Sequence, residues 1–169
     1  MRIGVDFDRV LFDTDAFKEE LESRFSRFSE TYSKARNHEG YDFREHADIL
    51  GVKPETLLSE LENADNFLFS DVKQLDKLDH EKVIVTRGDP KFQRKKLENS
   101  GALKYFSDFF IVQDRSKEIH DIDVLVDDTQ EELDRVDVSG ILFKRSEMGM
   151  KDLVDKIEKN KETYAKKHL

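Results

Sequence analysis

Five short apolar segments recur along this chain of 169 residues, and each has the length and the β-branched or aromatic content of a strand. They span residues 3–7, 82–86, 108–112, 122–126 and 140–143. Segments that are apolar on both faces are typical of parallel strands covered by helices on both sides of the sheet. This pattern therefore restricts the chain to a layered α/β architecture.

Helix signals separate these strands. Asp89 and Pro90 resemble an N-cap followed by a proline in the first turn, and Gly101 would end that helix. Residues 129–133 predict a short helix, and residues 150–167 predict a long terminal one. Strands and helices that alternate in this way predict a doubly wound, Rossmann-like parallel sheet.

One long interval interrupts the alternation, because no good strand is predicted between the first segment and the second. Three helices are predicted there, over residues 15–36, 41–50 and 54–61. We therefore expect a helical insertion at residues 14–76, in a core made of residues 1–13 and 77–169. The two connections between insertion and core are expected to act as hinges.

Composition narrows the classes of partner. The chain has 29 Lys and Arg against 38 Asp and Glu, and its net charge of −9 repels nucleic acids and anionic membranes. The absence of cysteine excludes disulfides, thiolate catalysis and cysteine-ligated zinc. The sequence shows no signal-peptide segment and no apolar stretch of membrane-spanning length. We expect a cytoplasmic protein that binds neither nucleic acid nor membrane.

Polar residues occur where several of the predicted strands end. They are Asp6 and Asp8 after the first strand, Thr86, Arg87 and Gly88 at the second, Lys117 between the third and fourth, and Asp127 and Asp128 after the fourth. Because the carboxyl ends of parallel strands meet at one edge of a sheet, we expect these residues to converge. Two acidic clusters, a hydroxyl and a lysine predict a site for a divalent cation and a phosphoryl group.

The acidic residues suit several tasks at such a site. Carboxylates are ligands that Mg²⁺ prefers, and Asp6 could also attack phosphorus to form an aspartyl phosphate. Asp8 could protonate the leaving alkoxide and later deprotonate water, so we expect it to be protonated beside a negative substrate. The adjacent charges of Asp127 and Asp128 repel each other unless a cation or solvent relieves them.

The remaining polar residues also have a plainer interpretation. The hydroxyl of Thr86 and the N–H groups after it could bind a phosphoryl oxygen, although threonine is common in strands. By its position alone, Lys117 would be interpreted as an exposed lysine, and Arg115 is a nearby competitor for the role of the basic residue. The basic residues 94–96 are interpreted as the solvated face of their helix, and the histidines are assigned no chemistry.

Taken in order, residues 6–10, Thr86, Lys117 and the pair Asp127 and Asp128 resemble the four motifs of the haloacid dehalogenase superfamily of phosphohydrolases. Segments on either side of the second motif also resemble the family, so that the likeness spans nearly the whole chain. The resemblance implies that the insertion is a helical cap, which closes over the site and selects the substrate.

The resemblance also implies the roles of the acidic residues. Asp6 would be the nucleophile and a ligand of Mg²⁺. Asp8 would be the general acid/base and would offer its backbone carbonyl to the metal. Asp128 would be the main acidic ligand of the last motif, with Asp127 beside it.

Substrate contacts are implied for a second group of residues. Thr86 and Lys117 would hold the phosphoryl group. Apart from the resemblance, Arg87 could add a guanidinium donor next to Thr86 or could be solvated, and the backbone N–H groups of Arg87 and Gly88 could also bind a phosphoryl oxygen. Arg9 departs from the family pattern, which most often has glycine there, and it would contact the substrate or narrow the pocket.

We therefore expect a Mg²⁺-dependent phosphatase that acts on a small phosphorylated metabolite. A phosphotransferase or mutase and a non-catalytic binding or regulatory domain of the same superfamily remain as alternatives. A signalling receiver domain is disfavoured, because its acidic pair would come first and its acceptor aspartate later. The substrate and the oligomeric state are open, and four basic residues are candidates for contact with an anionic substrate or for a solvated helix face: Arg24, Arg27, Lys34 and Arg36.

Overall fold

The computed structural model describes residues 1–113, 116–117 and 121–165. Its strands are, in chain order, β1 (Arg2–Val5), β2 (Arg36–Asn37), β3 (Gly40–Tyr41), β4 (Glu81–Arg87), β5 (Asp108–Val112), β6 (Val124–Asp127) and β7 (Ser139–Leu142). Five of them form a parallel sheet in the order β5-β4-β1-β6-β7, and β2 and β3 form a separate hairpin. The sheet strands lie within two residues of the predicted bounds.

Among the described residues, several helices lie between β1 and β4, one helix separates β4 from β5, one separates β6 from β7, and one follows β7. The helices are α1 (Thr14–Arg24), α2 (Phe28–Tyr32), α3 (Phe43–Leu50), α4 (Pro54–Ser59), α5 (Pro90–Ser100), α6 (Gln130–Asp134) and α7 (Met150–Ala165). Shorter 3₁₀ segments cover Ser33–Ala35, Glu60–Phe67, Val72–Lys77 and Ala102–Tyr105. Within the ranges that the structure describes, no helix combines the length and the apolarity needed to cross a bilayer.

Alternate residues of each strand face opposite sides of the sheet, and both sides are buried. Val83 and Leu125 face one side, where they pack in a cluster with Leu133 of α6. Val5 and Ile84 face the other side and share a larger cluster with residues of α5, α7 and the insertion. The predicted doubly wound α/β fold is confirmed, because helices cover both faces of a parallel sheet.

The register of the sheet places the ends of β1 and β6 side by side. Val5 pairs with both Ile84 of β4 and Val126 of β6. The N–H of Asp6 donates to the carbonyl of Val126 at 2.8 Å. Asp6 and Asp127, which follow Val5 and Val126, are therefore neighbours at the carboxyl edge.

The prediction of a single helix over residues 15–36 is wrong. Helix α1 ends at Arg24, and Arg27 adopts a left-handed backbone conformation with φ of 68° before α2 begins. The Glu22 carboxylate accepts hydrogen bonds from the N–H groups of Arg27 and Ser29, at 3.1 and 2.6 Å. A side chain that binds these backbone donors competes with continuation of the helix.

The expectation that the insertion contains no strand is also wrong, because β2 and β3 form a short antiparallel hairpin. Arg36 pairs with Tyr41, and Asn37 pairs with Gly40. The side-chain oxygen of Asn37 accepts the N–H of Glu39 at 2.8 Å, and Gly40 has a positive φ of 112°. Asparagine and glycine suit such turns, but two-residue strands leave no periodic sequence signal.

In the segment between β1 and β4, which we call the inserted segment, the chain that enters it is hydrogen-bonded to a later stretch of the same segment. The N–H of Asp13 donates to the carbonyl of Phe67 at 2.7 Å, and the N–H of Phe69 donates to Leu11 at 2.9 Å. The rings of Phe12 and Phe67 lie 5.9 Å apart at this crossing. Residues 11 and 13, at the first predicted hinge, are thus hydrogen-bonded to residues 69 and 67, and one hydrophobic cluster includes residues of both the sheet and this segment.

Candidate active site

Three carboxylates converge at the carboxyl edge of the sheet. Asp6, Asp127 and Asp128 each place a carboxylate oxygen within 4.8 Å of the others. Asp6 is 4% exposed and Asp127 is fully buried. Three hard oxygen donors at this spacing fit the coordination that Mg²⁺ requires, with water or substrate oxygens completing the shell.

Lys117 also contacts this acidic cluster. The interpretation of Lys117 as an exposed residue, which came from its position alone, is therefore wrong. Its Nζ donates to Asp6 Oδ1 at 2.8 Å and to Asp127 Oδ2 at 2.7 Å, and the residue is only 4% exposed. Burial lowers the pKa of Lys117, but the two carboxylates outweigh that effect and raise it. Lys117 therefore stays positively charged at neutral pH, whereas its competitor Arg115 lies outside the described residues.

The acidic cluster carries more negative charge than Lys117 can balance. Burial raises the pKa of Asp6; Lys117 opposes this, the charges of Asp127 and Asp8 add to it, and the result lies well above the usual value. Burial and the charge of Asp127 likewise raise the pKa of Asp128. A divalent cation bound among these carboxylates would remove the repulsion that adds to both pKa shifts.

Asp8 is held by three side chains. Thr14 Oγ1 donates to Asp8 Oδ1 at 2.7 Å, Gln93 Nε2 donates to Oδ2 at 2.9 Å, and the Lys96 ammonium forms an ion pair with Oδ1. Burial raises the pKa of Asp8, but Lys96 and these hydrogen bonds lower it to about 2. In this conformation Asp8 is therefore a carboxylate, and its protonation beside a negative substrate stays a prediction.

Lys96 is buried, so the interpretation of residues 94–96 as a solvated helix face is wrong for this residue. The residue is 3% exposed, and its ammonium lies 4.6 Å from the ring centroid of Phe12 and 5.4 Å from that of Phe7. Its helix, α5, begins and ends as predicted, with the Asp89 side chain accepting the N–H of Phe92 and with Gly101 after its last residue.

The spacing of residues in α5 contains a signal that Lys96 is buried. The buried residues of α5 fall at positions 92, 93, 96, 97 and 100, which is the spacing of one helical face. Lys96 and Gln93 lie on that face, and they are functional candidates that the sequence reasoning missed. Polar residues on an otherwise apolar stripe are informative, because burial of a charge requires a partner.

Thr86 and Gly88 lie beside this group at the end of β4. Thr86 is 1% exposed, and its Oγ1 accepts a hydrogen bond from Gln93 Nε2 at 2.8 Å. The N–H of Gly88 already donates to the carbonyl of Val112 at 3.2 Å. A Cβ at Gly88 would come within 2.9 Å of Gln93 Cγ, so close packing requires glycine here.

Arg9 and Arg87 line the cleft, but each is paired with a carboxylate. Arg9 has a positive φ of 63° and binds Asp15 through its Nε and Nη2 atoms, with an Nη2–Oδ1 distance of 3.0 Å. Arg87 makes a two-pronged contact with Glu132, at 3.0 and 2.8 Å. Each guanidinium is therefore already engaged by a carboxylate in this conformation.

These residues surround a cleft of about 200 Å³. The core contributes the acidic cluster's Asp6 and Asp128 together with Lys117. The inserted segment contributes Tyr32, Arg36 and Tyr41 to the lining of the same cleft. The structure thus brings every predicted site residue to this cleft or, for Asp127, to the carboxylates that line it.

Comparison with known proteins identifies the fold. No protein-family model matches the sequence, and no curated protein sequence is significantly similar to it. Among solved structures, a haloacid dehalogenase-like hydrolase of Burkholderia xenovorans superposes with a TM-score of 0.59 at 17% identity, over 78% of this chain and 74% of that one.

Two further structures extend the likeness over more of the chain. A HAD-family enzyme of Bacteroides thetaiotaomicron, an Asp-to-Ala mutant in complex with magnesium and inorganic phosphate, has a TM-score of 0.57 at 12% identity, over 90% and 97% of the chains. A magnesium-bound HAD-hydrolase of Bacillus subtilis has a TM-score of 0.56 at 13% identity, over 85% and 92%.

Proposed function

We propose that this chain, which has the fold of the haloacid dehalogenase-like hydrolases, is a Mg²⁺-dependent phosphatase of small phosphorylated metabolites. Asp6 is the nucleophile of the proposed reaction. The observation that carries the proposal is the position of its carboxylate, buried against Lys117 and beside Asp127 and Asp128. The inserted segment serves as the cap over this site.

The proposed reaction begins with attack of an Asp6 carboxylate oxygen on phosphorus. The P–O bond to the leaving group breaks, and an aspartyl phosphate forms. Lys117 offsets negative charge on the phosphoryl oxygens, and the Thr86 hydroxyl donates to one of them. Asp6, Asp128 and the Asp8 carbonyl, with Asp127 adjacent, would hold Mg²⁺, which would supply charge neutralisation for the phosphoryl group.

Asp8 is suited above all to the second half of this reaction. As a carboxylate it takes a proton from the water that hydrolyses the aspartyl phosphate, releasing phosphate and regenerating Asp6. Asp8 can donate a proton to the leaving alkoxide only after it has acquired one. Loss of its contact with Lys96 would promote this, because that contact keeps its pKa low.

The test is hydrolysis of p-nitrophenyl phosphate and of a panel of phosphorylated metabolites, with and without Mg²⁺. Asp6→Asn should abolish turnover, because the amide is a poor nucleophile, and chelation of Mg²⁺ should do the same to the wild type. Asp48→Asn is the matched control, because Asp48 is exposed on α3 and should have wild-type activity. Full activity of Asp6→Asn would refute the assignment of the nucleophile.

The alternative of a non-catalytic or regulatory domain has one observation in its favour. The ion pair with Lys96 keeps Asp8 deprotonated, and a deprotonated Asp8 cannot act as a general acid. Such a domain would bind phosphate and Mg²⁺ but would turn over no ester in the panel. A phosphotransferase or mutase would instead release little free phosphate, and it would form a new phosphate ester when an acceptor alcohol was added.

A further inference from the structure

We infer that Arg36 and Tyr32 bind a second anionic group, on the leaving-group side of the substrate. The substrate class is then a compact phosphate monoester that also carries a carboxylate or another phosphate. This inference rests on the proposed function, because it assigns the part of the cleft that lies across from the phosphoryl site.

The charge of Arg36 distinguishes it from the other cations around the cleft. Arg9, Arg87, Lys96 and Lys117 each form an ion pair with a carboxylate. Arg36 forms no ion pair with any of the described residues, and its guanidinium lies 6.0 Å from the ring centroid of Tyr32. An arginine that lines a cleft without a carboxylate partner is available to an anionic ligand.

Further positive charge lies close to Arg36. The Lys18 ammonium lies 4.3 Å from the ring centroid of Tyr32. Burial lowers the pKa of Lys18, and the charges of Arg9 and Arg36 lower it further, against the opposing effect of Asp15. These cations repel one another, and an anion bound between them would relieve the repulsion.

Tyr32 provides a neutral donor beside Arg36. Burial and the nearby charge of Asp8 raise the pKa of Tyr32 to about 12, so its hydroxyl keeps its proton at physiological pH. Within the described ranges this hydroxyl has no hydrogen-bond partner, although Tyr32 lines the cleft. A donor next to an unpaired cation matches the acceptor oxygens of a carboxylate or phosphate.

The ring of Tyr32 is fixed by a buried network behind it. It stacks on Tyr41 at a centroid distance of 4.6 Å and an interplanar angle of 15°. The Tyr41 hydroxyl lies 2.9 Å from His46 Nδ1, and His46 Nε2 lies 2.8 Å from Thr31 Oγ1. Because Thr31 donates its own proton to the carbonyl of Arg27 at 2.7 Å, His46 donates from Nε2 and accepts from Tyr41.

A close contact between glycines sets the distance between this subsite and the phosphoryl site. Gly40 of the hairpin packs on Gly88, such that a Cβ at Gly40 would lie 2.9 Å from Gly88 Cα. Gly88 follows Thr86 by two residues, and Arg36 pairs with Tyr41 beside Gly40. The hairpin that carries Arg36 therefore packs directly against the residue that follows β4.

The size of the cleft limits what can connect the two anionic groups. Its volume of about 200 Å³ is below the roughly 300–1,000 Å³ of sites that hold drug-sized ligands. The phosphoryl group occupies the end next to Asp6, so only a few further heavy atoms fit. A leaving group of two to four atoms that ends in an anion satisfies both the space and the charge.

The inference is tested by calorimetric binding of phosphonates, whose C–P bond is not hydrolysed, in excess Mg²⁺. The probes are 3-phosphonopropionate and its neutral amide, 3-phosphonopropionamide. Ethylene-1,2-diphosphonate is the third probe, and it distinguishes a phosphate from a carboxylate as the preferred anion. Inorganic phosphate, measured with the wild type, reports on the phosphoryl site by itself.

We expect the wild type to bind the anionic probes about tenfold more tightly than the amide. Arg36→Gln should reduce that ratio to about one, and Tyr32→Phe should reduce it about threefold. Lys34→Gln is the matched control, because Lys34 is exposed near Arg36 but outside the cleft, and it should keep the full ratio.

Three results would overturn the inference, and the first two differ in their meaning for the proposed function. If the wild type binds phosphate but binds all three phosphonates equally, the subsite is wrong while the phosphoryl site stands. If the wild type binds neither phosphate nor any phosphonate, the proposed function fails, and the subsite fails with it. Retention of the tenfold ratio by Arg36→Gln would also exclude Arg36 as its cause.

Discussion

Replacement of Lys96 by methionine should destabilise the fold through Asp8. Methionine fills a similar volume against Phe7 and Phe12, so the substitution removes the charge and largely keeps the packing. Removal of one partner of a buried ion pair costs about 3–5 kcal/mol. The Asp8 side chain is 26% exposed and keeps its hydrogen bonds from Thr14 and Gln93, so we expect a loss of about 2 kcal/mol.

The pKa of Asp8 gives an independent value of the same size. A change from 3.8 to about 2 on folding corresponds to roughly 2 kcal/mol at about 1.4 kcal/mol per pKa unit. Because the folded-state pKa is the lower one, this contribution is present above about pH 4 and is lost as the pH falls toward 2. The difference in stability between wild type and Lys96→Met should therefore be smaller at pH 3 than at pH 6.

The assay is urea unfolding followed by circular dichroism for a double-mutant cycle of Lys96→Met and Asp8→Asn. The two single variants should each lose about 2 kcal/mol, and the double variant should lose about 2 kcal/mol and not 4, because neither charge is left unpaired. Lys95→Met, on the same helix but only partly buried, should change stability by less than about 0.5 kcal/mol. Additive losses, or a pH-independent difference, would refute this account of the ion pair.

Two further predictions concern the inserted segment. Gly40→Ala should lower the free energy of unfolding, measured in urea, by about 2–4 kcal/mol, because Gly40 has a positive φ and the new Cβ would meet the Gly88 backbone. Gly51→Ala is the control, because Gly51 also has a positive φ but its Cβ would have nothing within 4 Å, and it should cost only about 1 kcal/mol. Equal losses in the two variants would contradict the packing argument. Burial lowers the pKa of His46 from 6.5 to about 4, so the unfolded imidazole binds a proton before the folded one does, and stability should fall by up to about 3 kcal/mol as the pH drops from 6.5 to 4. His46→Gln should remove this part of the pH dependence, and an unchanged pH profile would show that His46 is not its source.

The sheet and its carboxyl edge were predictable because their signals are local. Each strand is an apolar run, and Asp6, Thr86 and Asp127 directly follow or end such runs. Parallel pairing then brings the strand ends together whatever the intervening chain does. The helix from Pro90 was likewise predictable, since its cap, its proline and its terminal glycine are all adjacent in sequence.

The partners of the charged residues were not predictable in this way. Lys96 pairs with Asp8 across 88 residues, and Arg87 pairs with Glu132 across 45. In a chain that is 40% charged, many alternative pairings satisfy local rules equally well. Only the packed fold selects among them, because burial excludes water and penalises any charge without a partner.

By itself, the sequence determined which layers form and which polar residues meet at one end of the sheet. The hydrophobic periodicity of each segment and the order of the strands along the chain are local features that do not depend on distant contacts. The tertiary structure decided the ionisation of Asp8, the break between α1 and α2, and the hairpin that brings Arg36 to the cleft. These features arise from contacts between segments that are far apart in the chain, and their free energies exist only once those segments are packed together.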